Sequence, residues 1–309
     1  MNIKKPKFWG KKNNFLSLLL FPITFLIQFL NIIKNKLSSN QSFNIPVICV
    51  GNIFIGGTGK TPLTIMITKE LIKSGKKPAI IRKFYSDHYD EHRLIKSNVD
   101  CLFLNKKRNA AIKDAENAKY NVAILDDGFQ DHSINKSLNI LCFNSNQLIG
   151  NGMTIPSGPL REDINSVKRA QIILINGHID SQFEKKILKI SDKIKIFYSR
   201  YMPKNIEKFK NKKIFAFAGI GNPENFFNLL IKNNFNIQRK IAFPDHYKFK
   251  KTEIQKMIDE SKANNFKLVT TEKDYLRIKD YGFEDIEVVK VELEIIEREK
   301  FLNEILNYI

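Results

Sequence analysis

Apolar residues in this chain gather into short, nearly continuous runs separated by polar helical stretches. The runs at 46–50, 78–82, 100–104, 121–126, 138–143 and 171–176 read as strands. Between them, 60–74 and 108–118 carry apolar residues at helical spacing. Strands alternating with helices predict a parallel sheet covered on both faces. A second alternation begins near Lys212, with strands at 214–218, 267–271 and 286–291 and a closing helix near 297–308. In it, Asn222 is placed to cap a helix whose first residue is Pro223. The stretch 177–211 reads as the connection between two lobes. The expected fold is α/β: a doubly wound, mostly parallel sheet, with a smaller α/β lobe and an N-terminal membrane-associated helix. The expected boundaries are 1–36 for the anchor helix, 37–211 for the core with its connecting segment, and 212–309 for the C-terminal lobe.

The first strand runs into Val-Gly-Asn-Ile-Phe-Ile-Gly-Gly-Thr-Gly-Lys-Thr-Pro at 50–62, just before the first helix. A glycine-rich turn there offers bare backbone N–H groups and the positive end of a helix dipole to an anion. Gly56, Gly57, Thr58 and Gly59 form the cradle, Lys60 reaches terminal phosphates, and the Thr61 hydroxyl is a magnesium ligand. The usual pattern has a glycine five residues before Gly59; here that position is Phe54. The run 122–130 ends Asp126-Asp127-Gly-Phe-Gln130, which sets two carboxylates at the carboxyl edge of a strand. Ligands bind at that edge in open α/β sheets, so Asp126 and Asp127 are candidate magnesium ligands. A nucleoside triphosphate and Mg2+ are implied, and with them the sheet of P-loop nucleotide hydrolases.

Composition adds a bias in charge. The 309 residues carry a net charge of +19 at pH 7, which suits nucleic acid, an anionic membrane or a polyanionic substrate. No zinc finger, basic zipper or RNA-binding aromatic-glycine motif accompanies the charge, so no nucleic-acid partner is expected. Three separated cysteines at 49, 101 and 142 imply no disulfide framework and fit a reducing cytoplasm. No obligate protein partner is evident. Residues 14–33 are mostly apolar, are interrupted by Pro22 and are flanked by lysines. No small-x-small cleavage site follows them. They predict an anchor that either spans a bilayer or lies in its interface.

Other residues carry weaker chemistry. Arg161 and Glu162 follow a rigid Pro-Ser-Gly-Pro turn and suit a phosphate or sugar hydroxyl. Thr271, Lys273 and Asp274 end a strand and could line a cleft. Gly219 and Gly221 repeat the strand-glycine-helix theme, but a lone Gly-x-Gly is more often a tight turn. His88-Tyr-Asp-Glu91-His92 fits a zinc-peptidase pattern, although its flanks do not read as a buried amphipathic helix. A GTPase would need an Asn-Lys-x-Asp tetrad, which is absent. A nucleotide-binding sensor that transfers nothing is the remaining rival.

Segments 56–62, 126–130, 156–162, 217–223, Phe-Pro-Asp-His-Tyr at 243–247 and Thr-Thr-Glu-Lys-Asp at 270–274 occur in this order. Together they resemble the tetraacyldisaccharide 4'-kinase family, which phosphorylates a lipid A precursor, over nearly the whole chain. The resemblance implies transfer of the γ-phosphate of ATP to the 4'-hydroxyl of an acylated glucosamine disaccharide 1-phosphate, at the cytoplasmic face of the inner membrane. It assigns nucleotide contacts to Gly56 through Thr61 and Gln130, and substrate contacts to Asn52, Arg161 and Glu162. Lys60 and Asp127 act on the migrating phosphoryl group. Tyr89-Asp90-Glu91-His92 aligns with the family's Gly-Asp-Glu-Pro motif, departing at both ends, and makes Asp90 the base. His246 matches the histidine that acts with it. By this reading the pair forms only where the lobes meet.

Overall fold

The computed structural model describes residues 6–12, 14–37, 39–85, 89–245 and 247–309. In chain order the elements are α1 (Phe15–Leu19), α2 (Phe21–Leu37), β1 (Val47–Gly51), α3 (Lys60–Lys73), β2 (Pro78–Lys83), α4 (Tyr89–Lys96), β3 (Leu102–Asn105), α5 (Arg108–Asn117) and β4 (Val122–Asp126). They continue as β5 (Leu138–Asn144), β6 (Ile172–Asn176), α6 (Ser181–Ile190), β7 (Lys195–Pro203), β8 (Lys213–Ala218), α7 (Pro223–Lys232), β9 (Asn236–Ala242) and α8 (Lys251–Ala263). The last are β10 (Lys267–Thr271), α9 (Glu272–Ile278), β11 (Ile286–Val289), β12 (Val291–Ile295) and α10 (Arg298–Leu306). The chain divides into two compact units. Among the described residues, one holds those of 6–85, 99–200 and 293–309; the other holds those of 89–98 and 201–292.

The larger unit is built on a sheet in the order β12-β7-β6-β5-β1-β4-β2-β3. Its strands β1 through β6 pair in parallel, as does β6 with β7. Every residue of β1, β4 and β6 is buried, which explains their unbroken apolar runs. Pairing sets Val50 level with Asp126. The glycine loop and the acidic pair therefore leave the sheet at the same edge. Packing there is close: a Cβ added to Gly51 would meet Phe129 Cβ at 2.5 Å. Gly51→Ala is expected to lower stability by about 1–3 kcal/mol, read as a drop in denaturant midpoint at unchanged slope.

Residues 177–211 are more than a connection, because α6 lies within them and β7 extends the large sheet beyond β6. The apolar N-terminal stretch is divided between α1 and α2, with Pro22 in the first turn of α2, where its missing N–H costs nothing. Helix α2 has 17 residues, and no helix among the described residues is long and apolar enough to cross a membrane. Its patterning is inverted. Ser17 and Thr24 are buried, whereas Phe15, Leu19, Phe25, Leu26, Phe29 and Leu30 are exposed. Thr24 Oγ1 shares a 2.7 Å hydrogen bond with Ser157 Oγ and accepts one from Ser157 N–H. Asn151 Nδ2 donates to Ser17 Oγ, and Trp9 Nε1 donates to the Pro156 carbonyl. The helices thus dock through polar atoms onto the loop that leads into Arg161.

The smaller unit is a parallel sheet in the order β11-β10-β8-β9. Alternation along β8 separates its two cores. Ile214, Ala216 and Ala218 pack with Phe226, Phe227 and Leu230 on one face. Phe215 and Phe217 pack with Phe249, Ile254 and Ile258 on the other. Asn222 sits at the N-cap before Pro223, although its side chain makes no capping bond. Helix α4 also belongs to this unit, packed against α9. It buries Asp90, His92 and Ile95, so 89–96 is an amphipathic helix after all.

Candidate active site

In the larger unit the loop between β1 and α3 is braced from beneath. Asn52 is fully buried, and its amide nitrogen donates to the Phe54 carbonyl (2.6 Å), the Gly56 carbonyl (3.3 Å) and Thr58 Oγ1 (2.9 Å). Gly59 at the N-cap of α3 has φ +94°, a conformation that admits glycine without strain. The helix therefore starts at Lys60 with its first N–H groups open to an anion.

Two carboxylates meet this loop. Asp126, fully buried, accepts from Thr61 Oγ1 (3.1 Å) and Thr64 Oγ1 (3.4 Å) and pairs with Arg82. Asp127 stands at φ +63°, and this turn directs its carboxylate to Lys60 Nζ (3.7 Å) and Arg161 Nη1 (2.8 Å). Its strained backbone is held by Arg108, whose Nη2 donates to the Asp127 carbonyl at 2.6 Å while Nη1 pairs with Asp131. Burial would raise the Asp127 carboxyl, but Lys60 and Arg161 outweigh it and hold the group well below the usual carboxylate range. Burial lowers the Lys60 ammonium, with Asp127 opposing. Gln130 Nε2 donates to the Asn52 carbonyl, and Gln130 Oε1 accepts from Arg161 at 3.4 Å. Glu162 turns the other way, pairing with Arg169 and lying 3.7 Å from His132 Nε2. Burial raises its carboxyl.

The arrangement fits a nucleoside triphosphate with magnesium. Thr61 and Asp126 present hard oxygen donors side by side, and magnesium takes few protein ligands, filling its shell with water and phosphate. Among the described residues no group of three or more His, Cys, Asp or Glu is placed to hold a metal ion. His88, half of the zinc pattern, lies outside the described residues.

The smaller unit holds a second cluster. Asp90, 5% exposed, meets Arg277 Nε at 2.9 Å and Nη2 at 2.6 Å, and Lys273 Nζ at 3.6 Å. Asp90 and residues 243–245 belong to the same compact unit. His246 lies outside the described residues. The Gly219 turn is not an anion cradle here, because its N–H donates to Asp274 Oδ2 and its carbonyl accepts from Arg277.

A family model for tetraacyldisaccharide-1-P 4'-kinase matches residues 16–98 and 85–309. The chain belongs to this kinase family. The tetraacyldisaccharide 4'-kinase of Pelagibacter ubique (strain HTCC1062) is 40% identical over 310 residues, covering 99% of this chain and 98% of the relative. That of Rickettsia bellii (strain OSU 85-389) is 30% identical, covering 89% of each. The fold matches the crystal structure of LpxK from Aquifex aeolicus in complex with ATP, with TM-score 0.73 at 22% identity, over 95% of this chain and 99% of that one.

Within this kinase family frame, Lys60, Thr61, Asp126, Asp127, Gln130 and Arg161 gather at one sheet edge, and Asn52 supports the loop from below. Arg108 and Arg277 were not singled out by the sequence. Arg108 opens a polar helix with no motif around it. Arg277 had a readable signal, three and four residues after Asp274 and Lys273 on one helix face.

Proposed function

We propose that the cluster at the β1–β4 edge binds ATP and its magnesium and that Asp90 accepts the proton of the sugar hydroxyl. The reaction moves the γ-phosphoryl group to the 4'-hydroxyl of a tetraacyldisaccharide 1-phosphate and yields the 1,4'-bisphosphate. The observation that carries the nucleotide reading is the convergence of Lys60, Thr61, Asp126 and Asp127 where paired strands end together.

Phosphoryl transfer is positioning plus electrostatics. Thr61 and Asp126 would hold magnesium, which when bound would supply positive charge to the phosphates. Lys60 and Arg161 supply positive charge beside Asp127. Both lie on Asp127, and a triphosphate would compete with that carboxylate for them. Asp90 needs only to accept a proton as the new bond forms. The test is incubation of purified protein with labelled ATP, Mg2+ and an acylated disaccharide 1-phosphate. A bisphosphorylated lipid is expected; ATP binding without transfer would favour the sensor.

The acceptor is acylated, and the outward apolar face of α1 and α2 suits a lipid surface, with flanking lysines against anionic headgroups. This reading sets the chain in the interface on the cytoplasmic side of the inner membrane. Phe25→Glu with Phe29→Glu should cut co-sedimentation with anionic phospholipid vesicles at least tenfold, as each buried aromatic contributes about 1.5–3 kcal/mol. The melting temperature should hold. Unchanged vesicle binding would place the contact elsewhere.

A further inference from the structure

Helix α9 carries a relay of buried charge behind Asp90. Asp274, fully buried, accepts from Gly219 N–H (2.9 Å) and Thr271 Oγ1 (2.8 Å) through Oδ2. Its Oδ1 accepts from Arg277 Nη1 at 2.7 Å, and the same nitrogen donates to the Gly219 carbonyl at 2.7 Å. The opposite edge of that guanidinium, Nε and Nη2, grips Asp90 Oδ2. Lys273 Nζ lies 2.8 Å from Glu91 Oε1, 3.6 Å from Asp90 Oδ2 and 4.0 Å from Asp245 Oδ1. Burial raises the Asp274 carboxyl and lowers the Lys273 ammonium.

We propose that Arg277 is a positioning residue for Asp90, with Asp274 as its anchor. The inference rests on reading Asp90 as the proton acceptor. A planar fork held at four points cannot swing, so it fixes the direction in which the Asp90 carboxylate faces. All three α9 contacts converge on one oxygen, Oδ2, which sets the rotation of the carboxylate about its Cβ–Cγ bond. The same fork favours the ionised carboxylate, the form that can take a proton. Lys273 adds positive charge from α9. Glu91 and His92 lie on the same helix as Asp90, and Glu91 and Asp245, from the loop after β9, share Lys273 with it. A stretch of Thr-Thr-Glu-Lys-Asp with no evident chemistry of its own thereby gains a role: Thr271 and Asp274 build the socket, and Arg277 delivers it to the reacting carboxylate.

The test compares Arg277→Gln, Arg277→Lys and Asp90→Asn in the full-length protein, measuring kcat, KM for ATP and the pH–rate profile. Arg277→Gln should lower kcat about 10- to 100-fold, as displacement by about 1 Å costs. KM for ATP should stay within twofold, and the acidic limb of the profile should move to higher pH. Arg277→Lys, which keeps the charge without the fork, should return the acidic limb toward that of the unmodified protein and recover only part of kcat. Adding Arg277→Gln to Asp90→Asn should cost nothing further, because one acts through the other. Unmodified kcat and acidic limb in a folded Arg277→Gln protein would overturn the proposal. Should that variant fail to fold, unmodified kcat in Arg277→Lys would overturn it. If Asp90→Asn is fully active, it is the proton-acceptor reading that fails.

Discussion

Lys60→Ala is expected to reduce phosphoryl transfer about 10³-fold or more, beyond what loss of one preorganised donor usually costs. Lys60 begins α3 directly after the left-handed Gly59, so its ammonium and the helix N-terminus address the same anion. Its site is buried enough to lower the ammonium's proton affinity, and in such surroundings a charge acts with little screening. Alanine removes that charge from a group whose equatorial oxygens carry the transition state's negative charge. The fold should persist, since Asp127 keeps its 2.8 Å pairing with Arg161. Single-turnover transfer from labelled ATP checks this, and kcat within tenfold of the unmodified protein would remove Lys60 from the reacting centre.

Asp90→Asn should lower kcat by about 10²–10⁴, the range of general-base contributions, with little change in ATP affinity. Asn keeps the shape and accepts from Arg277 through its amide oxygen, but it cannot take a proton. Asp90 sits on α4 in the compact unit that lacks the phosphate loop, so ATP binding should be indifferent to the change. Titration of ATP alongside turnover separates the two quantities. Equal losses in both would give Asp90 a structural role instead.

The difference between these two residues shows how far sequence reading reached. The phosphate loop and the acid pair were legible because each follows a fully buried parallel strand, and such strands announce themselves as unbroken apolar runs. Strands β7 and β9 were not. In β9, Gln238, Arg239 and Lys240 are exposed, and an edge strand of this kind carries no apolar signature. In β7, Lys195 and Arg200 interrupt the pattern. Helix α4 was hidden by burial of charge: the Asp90 carboxylate breaks the apolar pattern, and its partner Arg277 lies 187 positions further along the chain.

From sequence alone came the ordered motifs, whose resemblance implied the kinase family, and the glycine loop and acid pair, which depend on local chemistry: glycine backbone freedom, a helix N-terminus and carboxylates at a strand end. Three matters waited for tertiary structure. They are the grouping of α4 with the C-terminal strands, the arginines that aim Asp90 and Asp127, and the outward apolar face of α1 and α2. Each depends on which side chain a distant segment presents, and charges that meet only in three dimensions leave no periodic trace along the chain.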